Sequence, residues 1–205
     1  MILKRKGTRM QKYSMLMAIA AITAAPLTAQ EQQQPARRTP TAVVVSGPDA
    51  GQRAPDFQLP WASKDSIGLV EDDFVLRNLR GRTVVLAFYP ADFTTGCTAE
   101  MKAFADRYAE LFGEGEDVVV VGISADSLET HRRFAESLGL PFRLLSDPEQ
   151  RVARLYGSKG DTRPRRTVYV IGPDGEVRYR DMRFGALDPR SYEALKQAVQ
   201  AARAG

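Results

Sequence analysis

Long apolar runs that alternate with amphipathic segments constrain the fold of this chain more than any other feature. The run TVVLAFY at residues 83–89 and the run DVVVVGIS at 117–124 are nearly unbroken and rich in β-branched residues. Such runs are typical of strands buried on both faces, because a strand with one solvated face would alternate apolar and polar residues. The chain is therefore predicted to contain a sheet that helices cover on both sides.

Helical and hairpin patterns around these strands complete the predicted architecture. In AEMKAFADRYAELF, at residues 99–112, apolar residues recur three and four apart, which predicts an amphipathic helix. Residues 167–181 form two alternating runs around GPDG, the pattern of a β-hairpin. The order of elements predicts an α/β fold with a central mixed sheet. The other predicted elements are helices at 127–140, 149–157 and 189–202 and a strand at 142–147.

The positive charge of the chain belongs to its N-terminal segment. The net charge of +4 would suit a nucleic-acid-binding protein. Residues 1–29, however, hold five basic residues and no acidic one, and without them 24 basic residues stand against 25 acidic ones, a net charge of −1. The body of the protein lacks the basic surplus that phosphate binding needs, so no nucleic-acid partner is expected.

The same N-terminal segment has the three parts of a secretory signal peptide. A basic stretch precedes the apolar run at residues 14–25, and small residues follow up to Ala29. About 12 apolar residues are too few to span a bilayer comfortably. Cleavage after Ala29 and export to a periplasmic or extracellular space are predicted, with an uncleaved membrane anchor as the alternative. Either Met1 or Met10 can begin such a signal.

Two further segments follow the predicted signal peptide. Residues 30–50 are rich in Gln and Pro and poor in apolar residues, which predicts a flexible linker. The strand and helix patterns occupy residues 51–203, and these are predicted to form one domain.

The single cysteine, Cys97, lies where a buried strand ends and a helix begins. Pro90 ends the strand because proline has no N–H to donate to a neighbouring strand. In or just before the first helical turn, a thiol faces unpaired backbone N–H groups and the positive end of the helix dipole, which favour the thiolate. The carboxyl end of a central strand is also a common ligand site. Taken alone, this position suits a nucleophile and a buried filler residue equally well.

The residues around Cys97 resemble the active-site signature of the peroxiredoxins. That signature is proline, three residues, threonine or serine, two residues and cysteine, which the chain matches with Pro90, Thr94 and Cys97. The resemblance extends over nearly all of residues 47–200, and CTAEM is similar to the bacterioferritin-comigratory, or Q-type, branch. The family's distant arginine falls on Arg166, in RRTVYVIGPDG. The resemblance implies a thioredoxin-like fold.

The resemblance also implies a thiol peroxidase that reduces hydrogen peroxide and organic hydroperoxides. The Cys97 thiolate would attack one peroxide oxygen and become a sulfenic acid. Thr94 would orient the peroxide, and Arg166 would hold the thiolate and the developing charge. Pro90 would shield the sulfur from water, and the backbone N–H groups of Gly96 and Cys97 would complete the donor set. No cofactor and no metal are implied, because the thiolate does the chemistry.

Three other residues are weighed against this set. Arg165 competes with Arg166, but successive strand residues point to opposite faces, and matching the strand that follows favours Arg166. Glu100 is expected to stabilise the first helical turn through the helix dipole, and the resemblance implies a network role for it rather than a catalytic one. His131, the only histidine, is predicted to lie solvated on a helix face.

The chain departs from many Q-type members in lacking a second cysteine. The resolving cysteine of that branch lies five residues after the first, and here that position is Lys102. No intramolecular disulfide can form, so an external thiol must reduce the sulfenic acid. That thiol could come from a thioredoxin-like protein or a small molecule. The resemblance leaves the oligomeric state open and is compatible with a homodimer.

Two other functions are compatible with the sequence. A thiol–disulfide oxidoreductase would rely on Cys-x-x-Cys, and the residues at that spacing from Cys97 are Thr94 and Glu100. A non-catalytic domain or a redox sensor could keep the same fold. The intact motif argues against a decayed enzyme but does not distinguish an enzyme from a sensor.

Overall fold

The structure, a computed structural model, describes residues 46–68, 70–113 and 117–204. The predicted signal peptide and most of the predicted linker lie outside these residues. All described residues belong to one unit that begins at residue 42. Within the described ranges no helix is long and apolar enough to cross a membrane.

The described residues form two sheets surrounded by helices. The strands are β1 (Gln58–Leu59), β2 (Trp61–Ala62), β3 (Phe74–Val75), β4 (Thr83–Phe88), β5 (Val118–Ser124), β6 (Arg143–Ser146), β7 (Thr167–Ile171) and β8 (Val177–Asp181). The helices are α1 (Thr95–Asp106), α2 (Tyr108–Phe112), α3 (Leu128–Leu138), α4 (Arg151–Leu155) and α5 (Pro189–Ala204). Short 3₁₀ turns lie at Val70–Asp72 and Leu76–Leu79.

The larger sheet has six strands in the order β2-β6-β5-β4-β7-β8. Strands β4, β5 and β6 run parallel, whereas β2, β7 and β8 pair antiparallel with their neighbours. The two continuous apolar runs, β4 and β5, occupy the middle of this sheet. The predicted central mixed sheet and the predicted hairpin β7–β8 are both confirmed.

Strand β4 separates two apolar layers, and this explains why its sequence is apolar throughout. Val85 and Ala87 pack into the layer that contains Phe104 of α1. Leu86 and Phe88 point to the opposite face and pack into the layer that contains α4 and the chain before β4. Because successive side chains of a strand point to opposite faces, burial on both sides requires apolar residues at every position.

The predicted helix at 99–112 differs from the structure in two ways. It begins earlier, at Thr95, and it is divided at Arg107, whose backbone (φ −112°, ψ 21°) separates α1 from α2. Phe104 before the break and Leu111 after it are buried in the same apolar layer. The apolar spacing therefore continues through the break, which is why the spacing predicts a single helix.

The last residues of the predicted linker contact the sheet. The Arg180 guanidinium on β8 forms an ion pair with Asp49 and donates a hydrogen bond to the Pro48 carbonyl. Pro48 is buried. Residues 46–50 are therefore part of the folded body, while the remaining boundaries of the predicted domains stay predictions.

Candidate active site

The thiol of Cys97 is buried at the start of helix α1. Cys97 is the third residue of α1, as the sequence predicts, and its exposed fraction is only 1%. It packs with Tyr89 and Met101 in the layer between the sheet and the helices. Gly122 on β5 makes room there, because a Cβ atom at this position would lie 2.7 Å from Leu144 and 3.0 Å from Tyr89.

Arg166 is the cation next to the thiol. In the register of β4 and β7, Thr167 pairs with Phe88, and this brings Arg166 to the end of β4 where α1 begins. Its Nη2 donates to Cys97 Sγ at 3.3 Å, and its Nη1 donates to Glu100 Oε2. Burial works to lower the pKa of Arg166, but its interactions with Glu100 and Cys97 outweigh burial and leave that pKa raised. The guanidinium is therefore charged when it faces the sulfur.

Arg165 lies apart from this cluster. Its side chain is exposed, and its Nη2 donates to the carbonyl oxygen of Gly157. Arg166, and not Arg165, is therefore the arginine that contacts the thiol.

Glu100 belongs to the buried hydrogen-bond network around Arg166. It lies three residues after Cys97 on the same face of α1 and is fully buried. Burial raises the pKa of Glu100 to about 7, although Arg166 acts in the opposite direction. Its Oε1 is buried and has no hydrogen-bond partner among the described residues. Helical spacing from Cys97 is the signal that places Glu100 in the site.

The first turn of α1 presents free backbone donors. Thr94 is the N-cap residue, with extended backbone angles (φ −85°, ψ 146°), but its side chain does not cap the helix. Instead its hydroxyl donates to the Ala91 carbonyl at 2.9 Å, which leaves the lone pairs of Oγ1 able to accept a hydrogen bond. No described residue accepts a hydrogen bond from the N–H groups of Gly96 and Cys97. These donors are free to bind an anion or a peroxide oxygen.

Gly96 and Pro90 are the other two predicted site residues. A Cβ atom at Gly96 would lie 3.3 Å from Arg166 Nη2, so the glycine leaves room for the guanidinium. Pro90 is half-buried and lines an open groove of about 560 Å³ together with residues 159–165. Among the described residues no group of three or more His, Cys, Asp or Glu residues could hold a metal ion.

The prediction for His131 is wrong. His131 is completely buried, and its Nδ1 lies 2.8 Å from Asp92 Oδ2. It shares the buried face of α3 with Phe134 and Ala135, three and four residues further on. That spacing could have indicated its burial. Asp92, in contrast, lies in a loop where no periodic pattern distinguishes it.

The fold and the site define a class of protein. A central mixed sheet flanked by helices carries a buried thiol at a helix N-terminus, and an arginine contacts the sulfur. This is the arrangement of a thioredoxin-like protein whose chemistry centres on one thiolate.

Comparisons with known proteins identify the family. The AhpC/TSA family matches residues 50–180. Peroxiredoxin bcp of Coxiella burnetii is 38% identical over 137 residues, which cover 63% of this chain and 85% of that protein. The chloroplastic peroxiredoxin Q of Triticum aestivum is 38% identical over 149 residues, which cover 71% of this chain and 64% of that protein. The chain belongs to the AhpC/TSA family.

A solved structure supports the same assignment. The crystal structure of peroxidoxin BcpB from Mycobacterium tuberculosis has a TM-score of 0.65 and 31% identity to the chain. The match covers 76% of this chain and 99% of BcpB. The relatives are named peroxiredoxins, which are thiol-dependent peroxidases, and the thioredoxin-like fold expected from the sequence is confirmed.

Proposed function

We propose that the protein reduces hydrogen peroxide and organic hydroperoxides through the Cys97 thiolate. In this reaction the sulfur attacks one peroxide oxygen, an S–O bond forms and the O–O bond breaks. The sulfur is oxidised to a sulfenic acid, and the other oxygen leaves with a proton as water or an alcohol. The observation that carries the proposal is the contact of 3.3 Å between Arg166 Nη2 and Cys97 Sγ at the N-terminus of α1.

Each site residue has a role that its contacts support. Arg166 stabilises the thiolate and then the negative charge that develops on the leaving oxygen. The free N–H groups of Gly96 and Cys97 donate to the peroxide, and Thr94 Oγ1 accepts the peroxide's hydrogen bond while its own proton is bonded to Ala91. Pro90 is half-buried at the start of the loop that leads to Cys97, and its proposed role is to limit the access of water to the sulfur.

The oxidised enzyme must be reduced by a thiol from outside the chain. Cys97 is the only cysteine of the sequence, so the sulfenic acid cannot form an intramolecular disulfide. Because only 1% of Cys97 is exposed, a reductant needs a displacement of the first turn of α1 or of the loop before it. The reductant is a thioredoxin-like protein or a small thiol, and a homodimer remains compatible with the family.

The proposal is tested by single-turnover oxidation of the reduced full chain with hydrogen peroxide in a stopped-flow instrument. We expect oxidation orders of magnitude faster than that of a free thiol, and its complete loss in Cys97→Ser. A rate equal to that of an ordinary thiol would contradict the proposal. With excess small thiol, continued consumption of peroxide indicates an enzyme, whereas consumption that ends after one equivalent indicates a sensor.

We further propose export to a periplasmic or extracellular space, on the basis of the signal-like segment at residues 1–29. Expression of the full chain in a bacterium, followed by mass spectrometry of the N-terminus, tests this. A mature protein that begins after Ala29 is the expected result. An N-terminus at Met1 or Met10 on membrane-bound protein would instead indicate the uncleaved anchor.

A further inference from the structure

A second buried polar cluster lies beside the active-site loop, on the side away from Arg166. Its centre is Asp92, which lies between Pro90 and Thr94 in the sequence and whose side chain is fully buried. The side chain of Asp92 bonds to two residues: Tyr89 O–H donates to Oδ1 at 2.6 Å, and His131 Nδ1 lies 2.8 Å from Oδ2. The backbone N–H of Asp92 donates to Asp126 Oδ2 at 2.9 Å.

The hydrogen bonds of His131 determine how many protons this cluster holds. Its Nε2 lies 3.1 Å from the carbonyl oxygen of Leu145, and a carbonyl can only accept, so Nε2 carries a proton. Its Nδ1 faces a carboxylate oxygen, so one further proton lies between His131 and Asp92. Whether that proton is on the ring or on the carboxyl group, the pair has no net charge. Such a pair can be buried at much lower cost than either charge alone.

Helix α3 holds the active-site loop at a second point as well. Phe93 is exposed and has a left-handed backbone (φ 58°), which is uncommon for a residue with a side chain. Its ring packs edge-on against Phe134, with the ring centres 5.0 Å apart. Phe134 lies three residues after His131 on α3. A strained backbone persists only where its surroundings hold it in place, and here two adjacent loop residues are held by one helix.

We propose that Asp92 and His131 are positioning residues for peroxide reduction. Their hydrogen bond holds the loop at residues 89–94 so that Thr94 Oγ1 and the free N–H groups of α1 meet the peroxide at the sulfur. Neither residue touches the reacting atoms, and this inference rests on the function proposed above. A displacement of about 1 Å in a reactive geometry can lower a rate by about 100-fold, so the loop position is expected to matter.

Substitutions of Asp92 separate positioning from a general structural role. In Asp92→Asn the amide oxygen can still accept from Tyr89, and the amide N–H can donate to Nδ1 of a neutral His131. Asp92→Ala removes both hydrogen bonds. We therefore expect single-turnover oxidation by hydrogen peroxide to slow about 10-fold to 100-fold in Asp92→Ala and to stay within about threefold of wild type in Asp92→Asn.

The experiment uses the full chain, with Glu136→Gln on the exposed side of α3 as the matched control. Wild-type rates in folded Asp92→Ala would overturn the inference, as would an equal loss in Asp92→Asn. If wild type is oxidised rapidly and Asp92→Ala is oxidised at the same rate, the positioning role alone is refuted. A slow wild type would refute the proposed function, and the positioning role with it.

A measurement on the wild type keeps the inference testable if Asp92→Ala does not fold. His131 is the only histidine, so the NMR signals of its ring nitrogens need no assignment among several residues. We expect a proton on Nε2 that is protected from exchange with water, because Nε2 is buried against Leu145. A ring proton that exchanges as fast as that of an exposed histidine would overturn the inference.

Discussion

Two buried pairs of charged residues lie on either side of the active-site loop, and they differ in how completely their polar atoms are bonded. In the pair of Asp92 and His131, both carboxylate oxygens and both ring nitrogens have partners. In the pair of Arg166 and Glu100, Glu100 Oε1 has no partner among the described residues. The backbone N–H groups of Gly96 and Cys97 likewise have no acceptor in the part of the chain that the structure describes.

This difference indicates which of the two pairs has a structural role and which takes part in the reaction. A fully bonded buried network holds its surroundings in one conformation, whereas buried polar atoms that lack partners are costly unless something else supplies them. At the N–H groups of Gly96 and Cys97, the peroxide substrate supplies that partner. The pair at Arg166 is therefore arranged to react, and the pair at Asp92 keeps the loop between them in place.

Removal of Arg166 is expected to have the largest effect and tests whether the pair at Arg166 supports the reaction. Loss of a preorganised donor to a developing charge typically costs about 100-fold to 1,000-fold in rate, and we expect this loss for Arg166→Ala in oxidation by hydrogen peroxide. Arg165→Ala is the matched control, because Arg165 is adjacent in sequence but its side chain donates to the Gly157 carbonyl and not to the thiol. Equal losses in the two variants would show that general positive charge, and not the contact with the sulfur, supports the reaction.

The raised pKa of Glu100 predicts that the stability of the protein depends on pH. The folded protein holds its proton up to about pH 7, whereas the unfolded chain releases it near 4.5. The folded state thus binds more protons in this range, so stability is highest below the lower value and falls as the pH rises through about 7. From pH 4.5 to well above pH 7, this group should lower the free energy of unfolding by roughly 3 kcal/mol.

Urea unfolding of wild type and Glu100→Gln at several pH values measures this difference. The glutamine variant should lack this part of the pH dependence. Glu110→Gln is the control. Arg107 lowers the pKa of the exposed Glu110 to about 2, so this group does not titrate in the measured pH range and its removal should leave the pH dependence there unchanged. If wild type and Glu100→Gln have the same pH dependence, Glu100 is not held in the way the structure indicates.

The hydroxyl of Thr94 has a smaller expected effect. Thr94→Val keeps the shape and the branched Cβ but removes the acceptor for the peroxide and the bond to Ala91. One hydrogen bond between neutral groups contributes about 1 kcal/mol net, which corresponds to roughly a fivefold slower oxidation. Thr95→Val, at the exposed next position, should react like wild type. A full rate in Thr94→Val would remove this hydroxyl from the site.

The residues also differ in how far the sequence predicts them. The sheet and its two central strands follow from apolar runs that only burial on both faces explains. Cys97, Thr94 and Arg166 follow from a motif and its resemblance to a family. The break at Arg107 leaves the apolar spacing unchanged and cannot be predicted from it. Asp92 and His131 are 39 positions apart, and only the packing of α3 against the loop brings them together.

Competition for peroxide tests the central claim most directly. The reduced full chain is mixed with a large excess of a free small thiol, and less than one equivalent of hydrogen peroxide is added. If Cys97 is activated by Arg166 and the first turn of α1, it reacts with nearly all of the peroxide. Mass spectrometry of samples quenched with an alkylating agent before the small thiol reduces the protein then finds the sulfenic acid or its mixed disulfide at Cys97. If the two thiols are instead oxidised in proportion to their concentrations, Cys97 is an ordinary buried cysteine, and the account is contradicted.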